Sequence, residues 1–419
     1  MDKFVIHGGG KLRGTIMVGG SKNGTLPLMA AALLTKGVTS ISGSPHLQDV
    51  ATMSNVLRVS GARVYGKRHE LKIDTATCNH FEAPYDLVKT MRASFYVLGP
   101  LVARYGRARV SLPGGCAWGP RPVDLHLKGL EALGAQIKND HGYIEARAKY
   151  LVGATFEFDK VSVGATAQLV MAATLARGVS RLVNTAKEPE ILMLVQMLRK
   201  MGAQIQELPD GLKITGVRKL KPVHITVMPD RIEAGTYIAA ATLAGGSLRI
   251  ENCPIDHLSA AMDVFSRAGA VMKKAGPRVL VVQGPKVIKP MEISTAPFPG
   301  FPTDLQAQLM AVLSMARGTS IITDTVYHDR FTHVAELKRL GADISVSGNS
   351  AIIQGVASLT GAEVMATDLR ASAALVIAGL RARGTTKLDR VYHIDRGYEH
   401  IEEKFNAVGA RIERIKEAM

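Results

Sequence analysis

The chain is poor in cysteine, tryptophan and long apolar runs. It has three Cys and one Trp in 419 residues. The cysteines are Cys78, Cys116 and Cys253. So odd and low a count excludes a disulfide framework, and with no signal-sequence pattern it points to a reducing, cytoplasmic setting. No stretch reaches the ~18 uninterrupted apolar residues a membrane span needs, so no membrane partner is expected. The twelve histidines are scattered, with no pair at zinc-ligand spacing, so no metal is expected. HGGGK at 7–11 lacks the flanking spacing of a phosphate loop, and no cofactor is expected. Charge is one-sided: 52 Lys and Arg against 36 Asp and Glu, a net of +16. A basic surplus suits an anionic partner, whether nucleic acid, a membrane surface or a phosphorylated substrate. Aromatics make up only 5%, the basic residues are spread throughout, and no recognition motif is present. Nucleic acid is therefore disfavoured, and most of the surplus reads as solvated surface.

What the chain does have is a repeat. A Gly-Ala pair recurs six times: SGARV at Gly61, LGAQI at Gly134, MGAQI at Gly202, AGAVM at Gly269, LGADI at Gly341 and VGARI at Gly409. Successive glycines are 73, 68, 67, 72 and 68 residues apart. A second glycine precedes each by 23 to 28 positions, at Gly37, Gly106, Gly178, Gly246, Gly318 and Gly384. Two tags held in register six times define a repeat architecture. Each unit reads helix, Gly turn, strand, helix, Gly-Ala turn, strand. The glycines suit left-handed helix ends, where a side chain would clash. The first helix of each unit is apolar nearly all round, as in ATAQLVMAATLA, and should be buried. The second is amphipathic, as in HIEEKFNAVGA, and should cover a sheet.

A chain of this length exceeds what one hydrophobic core supports. Six units divide into two domains of three, 21–229 and 1–20 plus 230–419, with the split in VRKLKPVHITVMPDRIEAG. The N-terminal strand has no sequential partner and is expected to pair with the last unit. The fold class is α/β, with six units around buried helices.

The buried helices begin with polar residues: Ser21-Lys22-Asn23, Lys89-Thr90-Met91-Arg92, Ser162-Val163-Gly164, Asp230-Arg231, Thr303-Asp304 and Asp368-Leu369-Arg370. Free N–H groups there carry about half a positive charge and can bind anions. Ordinary capping by Ser, Thr and Asp is the other reading. Lys22, Arg92, Arg231 and Arg370 oppose the dipole and are harder to explain as structure alone.

The segment LPGGCAWGPRPVDLH, 112–126, can be neither helix nor central strand through its Gly and Pro residues. Long loops in compact folds tend to be functional. Cys116 sits there with Arg121 five residues on, and a nearby guanidinium lowers a thiol pKa from about 8.5. This favours a chemical role over that of a small apolar side chain.

SKNGTLPLMAAALL, KTMRAS, LPGGCAWGPRPVDLH, SVGATAQLVMAAT, PDRIEAGT, FPTDLQAQ and DRFTHVAEL follow in this order along essentially the whole chain. In these motifs the sequence resembles the UDP-N-acetylglucosamine 1-carboxyvinyltransferases, the enolpyruvyl transferases of peptidoglycan synthesis. The GGCA-x-G-x-RPVDLH loop is the most specific part. The resemblance implies a two-domain inside-out α/β barrel of six βαβαββ repeats, with the active site in the interdomain cleft. It implies two small-molecule substrates, phosphoenolpyruvate and UDP-N-acetylglucosamine, and no nucleic acid. It implies that Cys116 is the acid, able to form a covalent adduct and to react with fosfomycin. Asp304 matches the carboxylate beside the sugar hydroxyl, although a helix first-turn Asp is its plainer reading. Lys22, Arg121 and Arg396 match the cationic set for phosphoenolpyruvate, with Arg370 a possible fourth. Arg121, Pro122, Val123, Asp124 and Leu125, then Lys160, Val161, Ser162, Val163 and Gly164, match the nucleotide side. Asn23 and the backbone of Val326 match positions at the N-acetylglucosamine, and Arg92 one that meets the closed loop.

The sequence departs from the usual pattern at Gly24 for Ala, at Ala167-Gln168 for an acidic-Asn pair, and at His328-Asp329 for Glu-Asn. The last two bear on details of sugar contacts. The competing readings are a 5-enolpyruvylshikimate-3-phosphate synthase, which lacks the Cys-bearing loop, and a basic repeat protein that binds nucleic acid.

Overall fold

The computed structural model describes residues 2–89, 91–112, 123–327 and 329–416. The chain divides into two compact units, 20–228 and 1–19 plus 229–419. Each contains three four-stranded sheets. Every sheet is built alike: a leading strand lies parallel to the second, and the remaining pairings are antiparallel. In residues 20–228, Thr155–Glu157 pairs in parallel with Val179–Val183, which is followed by Gly211–Thr215 and Gln204–Leu208. A parallel pair needs a crossover, and the buried helix supplies it. Here that helix is Val163–Ala173.

The twelve tag glycines all have positive φ, between 75° and 134°. The repeat in the sequence is therefore a repeat of left-handed backbone positions, which glycine adopts without steric cost. The covering helix Pro189–Met201 shows the punctuation. It has Pro at its first position and ends on Gly202 at φ 106°, whose N–H bonds to the carbonyls of Leu198 and Arg199. Its apolar side buries Ile191, Leu194, Val195 and Leu198.

The buried helices are apolar all round because no face meets solvent. All fourteen residues of Arg231–Ala244 and all eight of Gln306–Leu313 are buried. In the same unit Leu369–Arg381 packs against both. Small residues set the approach: a side chain at Gly235 would overlap Leu305. Truncating a leucine in such a core costs about 2–5 kcal/mol. Each unit has its own apolar cluster. Among the described residues no helix is long and apolar enough to cross a membrane.

Chain termini complete the sheets. Lys3–His7 lies between Thr385–Asp389 and Ile412–Ile415, antiparallel to both, and so supplies the strand the last repeat lacks. Phe4 and Ile6 point from it into the core. Leu12–Met17 pairs in parallel with Gly246–Glu251 as the leading strand of the fourth repeat. His224–Thr226 does the same for Val38–Ser42 in the first.

Candidate active site

The polar starts of the buried helices hold most of the residues singled out above. Ser21 caps Lys22–Ala31 by accepting the Gly24 N–H at 3.1 Å. Lys22 is the next residue, and its Nζ lies 3.2 Å from Asp49 Oδ2, with the lysine 12% and the aspartate 3% exposed. Asn23 is half-buried beside it. Ser162 caps Val163–Ala173 through the Ala165 N–H at 3.3 Å. Around that helix start Lys160 and Val163 are exposed, while Val161, Ser162 and Gly164 are half-buried. Asp124 opens the helix Asp124–Ala132 and is exposed, flanked by the buried Val123 and Leu125. His126, one turn in, sits behind Gly164, with Nδ1 2.7 Å from Gln168 Oε1. Burial lowers the His126 pKa to about 4, outweighing the hydrogen bond to Gln168, which raises it.

In the other unit Asp230 and Asp368 are true caps. Asp230 accepts from the N–H groups of Ile232 and Glu233, and Asp368 from those of Arg370 and Ala371. Asp304 is not a cap. Neither the 3-10 turn Thr303–Leu305 nor the helix Gln306–Leu313 has a side-chain cap bond. Its carboxylate instead faces two arginines. Arg330 Nη1 donates to Oδ1 at 2.8 Å, and Arg370 donates to Oδ2 through Nε at 3.3 Å and Nη2 at 3.2 Å. Both guanidiniums are nearly buried, and Asp304 keeps 25% of its side chain exposed. Burial is the largest influence and opposes the charge on both arginines, but Asp304 together with Asp368 at Arg330, and with Tyr398 and Asp230 at Arg370, outweighs it, so both are held above the ordinary arginine value. Arg370 also lies 5.5 Å over the Tyr398 ring. Arg396 ends the 3-10 segment Val391–Arg396 and is half-buried. Val326 turns its N–H to Asp324 Oδ1 at 2.9 Å.

Several expectations change. The cations at helix starts do have structural partners: Asp49 for Lys22, Asp304 for Arg370, and the Phe298 ring 5.8 Å from Arg231. Arg370, the possible fourth cation, has its charge facing Asp304. Arg92 does not open an α-helix. It starts a 3-10 segment, Arg92–Val97, that precedes Leu98–Tyr105. The Ala167-Gln168 departure lies in the core, where both residues are fully buried. Cys116, Arg121, Pro122 and His328 lie outside the described residues. Arg330 was not singled out from the sequence as a site residue. The signal available was its place in DRFTHVAEL, a charged residue among positions that proved buried.

Known proteins can be set beside this arrangement. A family model described as EPSP synthase (3-phosphoshikimate 1-carboxyvinyltransferase) matches residues 6–405. The UDP-N-acetylglucosamine 1-carboxyvinyltransferase of Geobacter metallireducens is 52% identical over 418 residues, covering 100% of both chains. The chain belongs to the UDP-N-acetylglucosamine 1-carboxyvinyltransferase family. A further member, from Trichlorobacter lovleyi, is 51% identical over 420 residues, again covering 100% of both chains. Among solved structures the enolpyruvyl transferase NikO from Streptomyces tendae superposes with a TM-score of 0.90 at 26% identity, covering 99% of this chain and 98% of that one. An EPSP synthase from Acinetobacter baumannii shares the fold at a TM-score of 0.76 and 20% identity, with 99% and 100% covered. The six-repeat architecture is therefore that of the enolpyruvyl transferases.

Among the described residues no group of three or more His, Cys, Asp or Glu is placed to hold a metal ion.

Proposed function

We propose that this protein transfers the enolpyruvyl group of phosphoenolpyruvate to the 3-hydroxyl of UDP-N-acetylglucosamine, with release of phosphate. The observation that carries this reading is full-length identity of about half to relatives of that name, from Geobacter metallireducens among others. The Asp304 cluster supports it chemically. In the addition step the sugar oxygen bonds to C2 of phosphoenolpyruvate, its proton is taken up by a base, and a proton is delivered to the methylene carbon C3. In the elimination step a proton leaves C3, the double bond re-forms, and the C2–O bond to phosphate breaks.

Cys116 is proposed as the acid at C3, and Asp304 as the acceptor at the sugar hydroxyl. Asp304 is partly exposed, so one of its oxygens can receive a substrate proton or hydrogen bond while the arginines fix the carboxylate plane. Phosphoenolpyruvate brings roughly three negative charges at neutral pH. Lys22, Arg121 and Arg396 are proposed to balance them, and arginine's planar fork suits oxyanions. The nucleotide is proposed to lie along residues 121–125 and 160–164, where free N–H groups at the start of Val163–Ala173 meet phosphate or uracil oxygens. Asn23, Arg92 and the Val326 backbone are proposed contacts to the sugar and the Cys116 loop. The compartment proposed is the cytoplasm.

The test is phosphate release from phosphoenolpyruvate with three acceptors. Release should require UDP-N-acetylglucosamine and be absent with shikimate 3-phosphate or with no acceptor. Release with shikimate 3-phosphate alone would move the protein to the competing synthase.

A further inference from the structure

The three buried helices of residues 20–228 have ends as well as beginnings, and a cavity of about 400 Å³ opens there. Leu34, Ala103 and Leu175 line it, each at or just past the C-terminal end of one buried helix. Lys22, Asn23 and residues 160–164, proposed above to bind substrate, sit at the opposite ends of two of these helices, and Arg92 begins the 3-10 segment that leads into the other. Five cationic side chains also line the cavity: Lys36, Arg104, Arg177, Arg218 and Lys219. No carboxylate lines it. None of the five forms an ion pair among the described residues, in a chain where many other surface arginines do.

Cations at helix C-termini are favoured by the dipole, which offers a structural reason for some of them. That reason covers only part of the set. Arg104 does act this way, donating Nη1 to the Leu33 carbonyl at 2.8 Å. At the third helix the Thr174 carbonyl is already taken by the Val217 N–H at 2.9 Å. Arg177 lies over Tyr150, its Cζ 3.6 Å from the ring centroid, and so is held in place without a counter-charge. Lys36, Arg218 and Lys219 are exposed. Three helix ends contribute about half a negative charge each, which leaves more than three positive charges unbalanced around one cavity. The volume is that of a small-molecule pocket.

We propose that this cavity is a second anion site, which takes a small molecule bearing a di- or triphosphate chain. A triphosphate carries roughly three to four negative charges, the number the cavity leaves unmatched. The phosphate chain sits among Arg177, Arg218, Lys219 and Lys36. A nucleotide and a free polyphosphate both supply such a phosphate chain and offer the same chemistry to the guanidiniums.

The experiment is isothermal titration of the full chain with inorganic tripolyphosphate and, separately, with ATP. Saturable binding is expected, weakening as sodium chloride rises, because exposed charges are screened. Tighter binding of ATP than of tripolyphosphate would identify the nucleotide form, and equal binding the phosphate chain alone. The variant R177A/R218A/K219A should lose affinity by about 10-fold or more with an unchanged melting temperature. The single variant Lys36→Ala should lose less. Lys22→Ala/Arg396→Ala removes cations from the proposed substrate site only, and should leave tripolyphosphate affinity unchanged. No saturable binding of either probe up to ~1 mM would overturn the proposal. So would equal affinity in the triple variant, or loss of binding in Lys22→Ala/Arg396→Ala.

Discussion

Arg370 donates both Nε and Nη2 to a single oxygen of Asp304, Oδ2, while Arg330 takes the other oxygen. The three residues lie 66 and 26 positions apart in sequence. Asp304 is therefore held by charge from outside its own helix, and it leaves the backbone N–H groups of that helix uncapped.

Asp304→Asn separates chemistry from framework. A cap would tolerate the change, since Asn caps about as well as Asp. As the acceptor at the sugar hydroxyl, Asp304 should cost at least ~100-fold in turnover when neutralised. The arginine cluster adds a second expectation. Two nearly buried guanidiniums would lose their counter-charge, so the melting temperature should also fall, less than for a fully buried pair because Asp304 is partly exposed. Steady-state kinetics and thermal unfolding on the same preparation test both. Near-normal turnover would remove Asp304 from the chemistry.

Cysteine labelling should be selective for Cys116. Cys253 is buried, and burial pushes its thiol up to about 12. Burial also raises Cys78. Neither thiol forms much thiolate at neutral pH, and thiolate is the reactive form. Fosfomycin should therefore mark Cys116 alone, faster in the presence of UDP-N-acetylglucosamine. Peptide mapping that placed the adduct on Cys78 or Cys253 would refute this.

Stability should fall in mild acid. Burial lowers His126 and His333, one in each unit, to about 4. An unfolded histidine titrates near 6.5. Below that value the unfolded chain takes up protons that the folded one refuses, so folding stability is complete above about 6.5 and is lost as pH falls toward about 4. Each histidine contributes on the order of 1–3 kcal/mol to this loss. Melting temperatures between pH 7 and 4.5 should decline less steeply in His126→Asn/His333→Asn than in the parent. An identical slope would show that other groups govern the acid limb.

Gly24→Ala should stabilise. Gly24 lies in the first turn of Lys22–Ala31, and an added methyl would meet Ser21 and Met193 at ordinary contact distances of 3.4–3.5 Å. Alanine gains up to about 1 kcal/mol over glycine in a helix. A small rise in melting temperature with activity retained is expected, and a fall would mean that the Ser21–Gly24 cap tolerates no crowding.

The repeat, its turns and its buried helices were legible in the sequence because they rest on local physics. Left-handed backbone demands glycine at the twelve tag positions, and an all-apolar helix can only be buried. Lys22, Ser162, Asp304 and Arg370 could be placed at helix starts for the same reason. Their partners could not. That Arg330 would reach Asp304 and Asp49 would meet Lys22 depends on how the elements of one repeat pack, and that His126 would meet Gln168 on how two repeats pack, and no local spacing records either. Strand exchange had the same limit. An unpaired N-terminal strand could be recognised, but only the tertiary structure assigned Lys3–His7 and Leu12–Met17 to two different sheets. A strand's pattern states which face is apolar, whereas the sheet it joins is decided by which open edge the folded chain brings near.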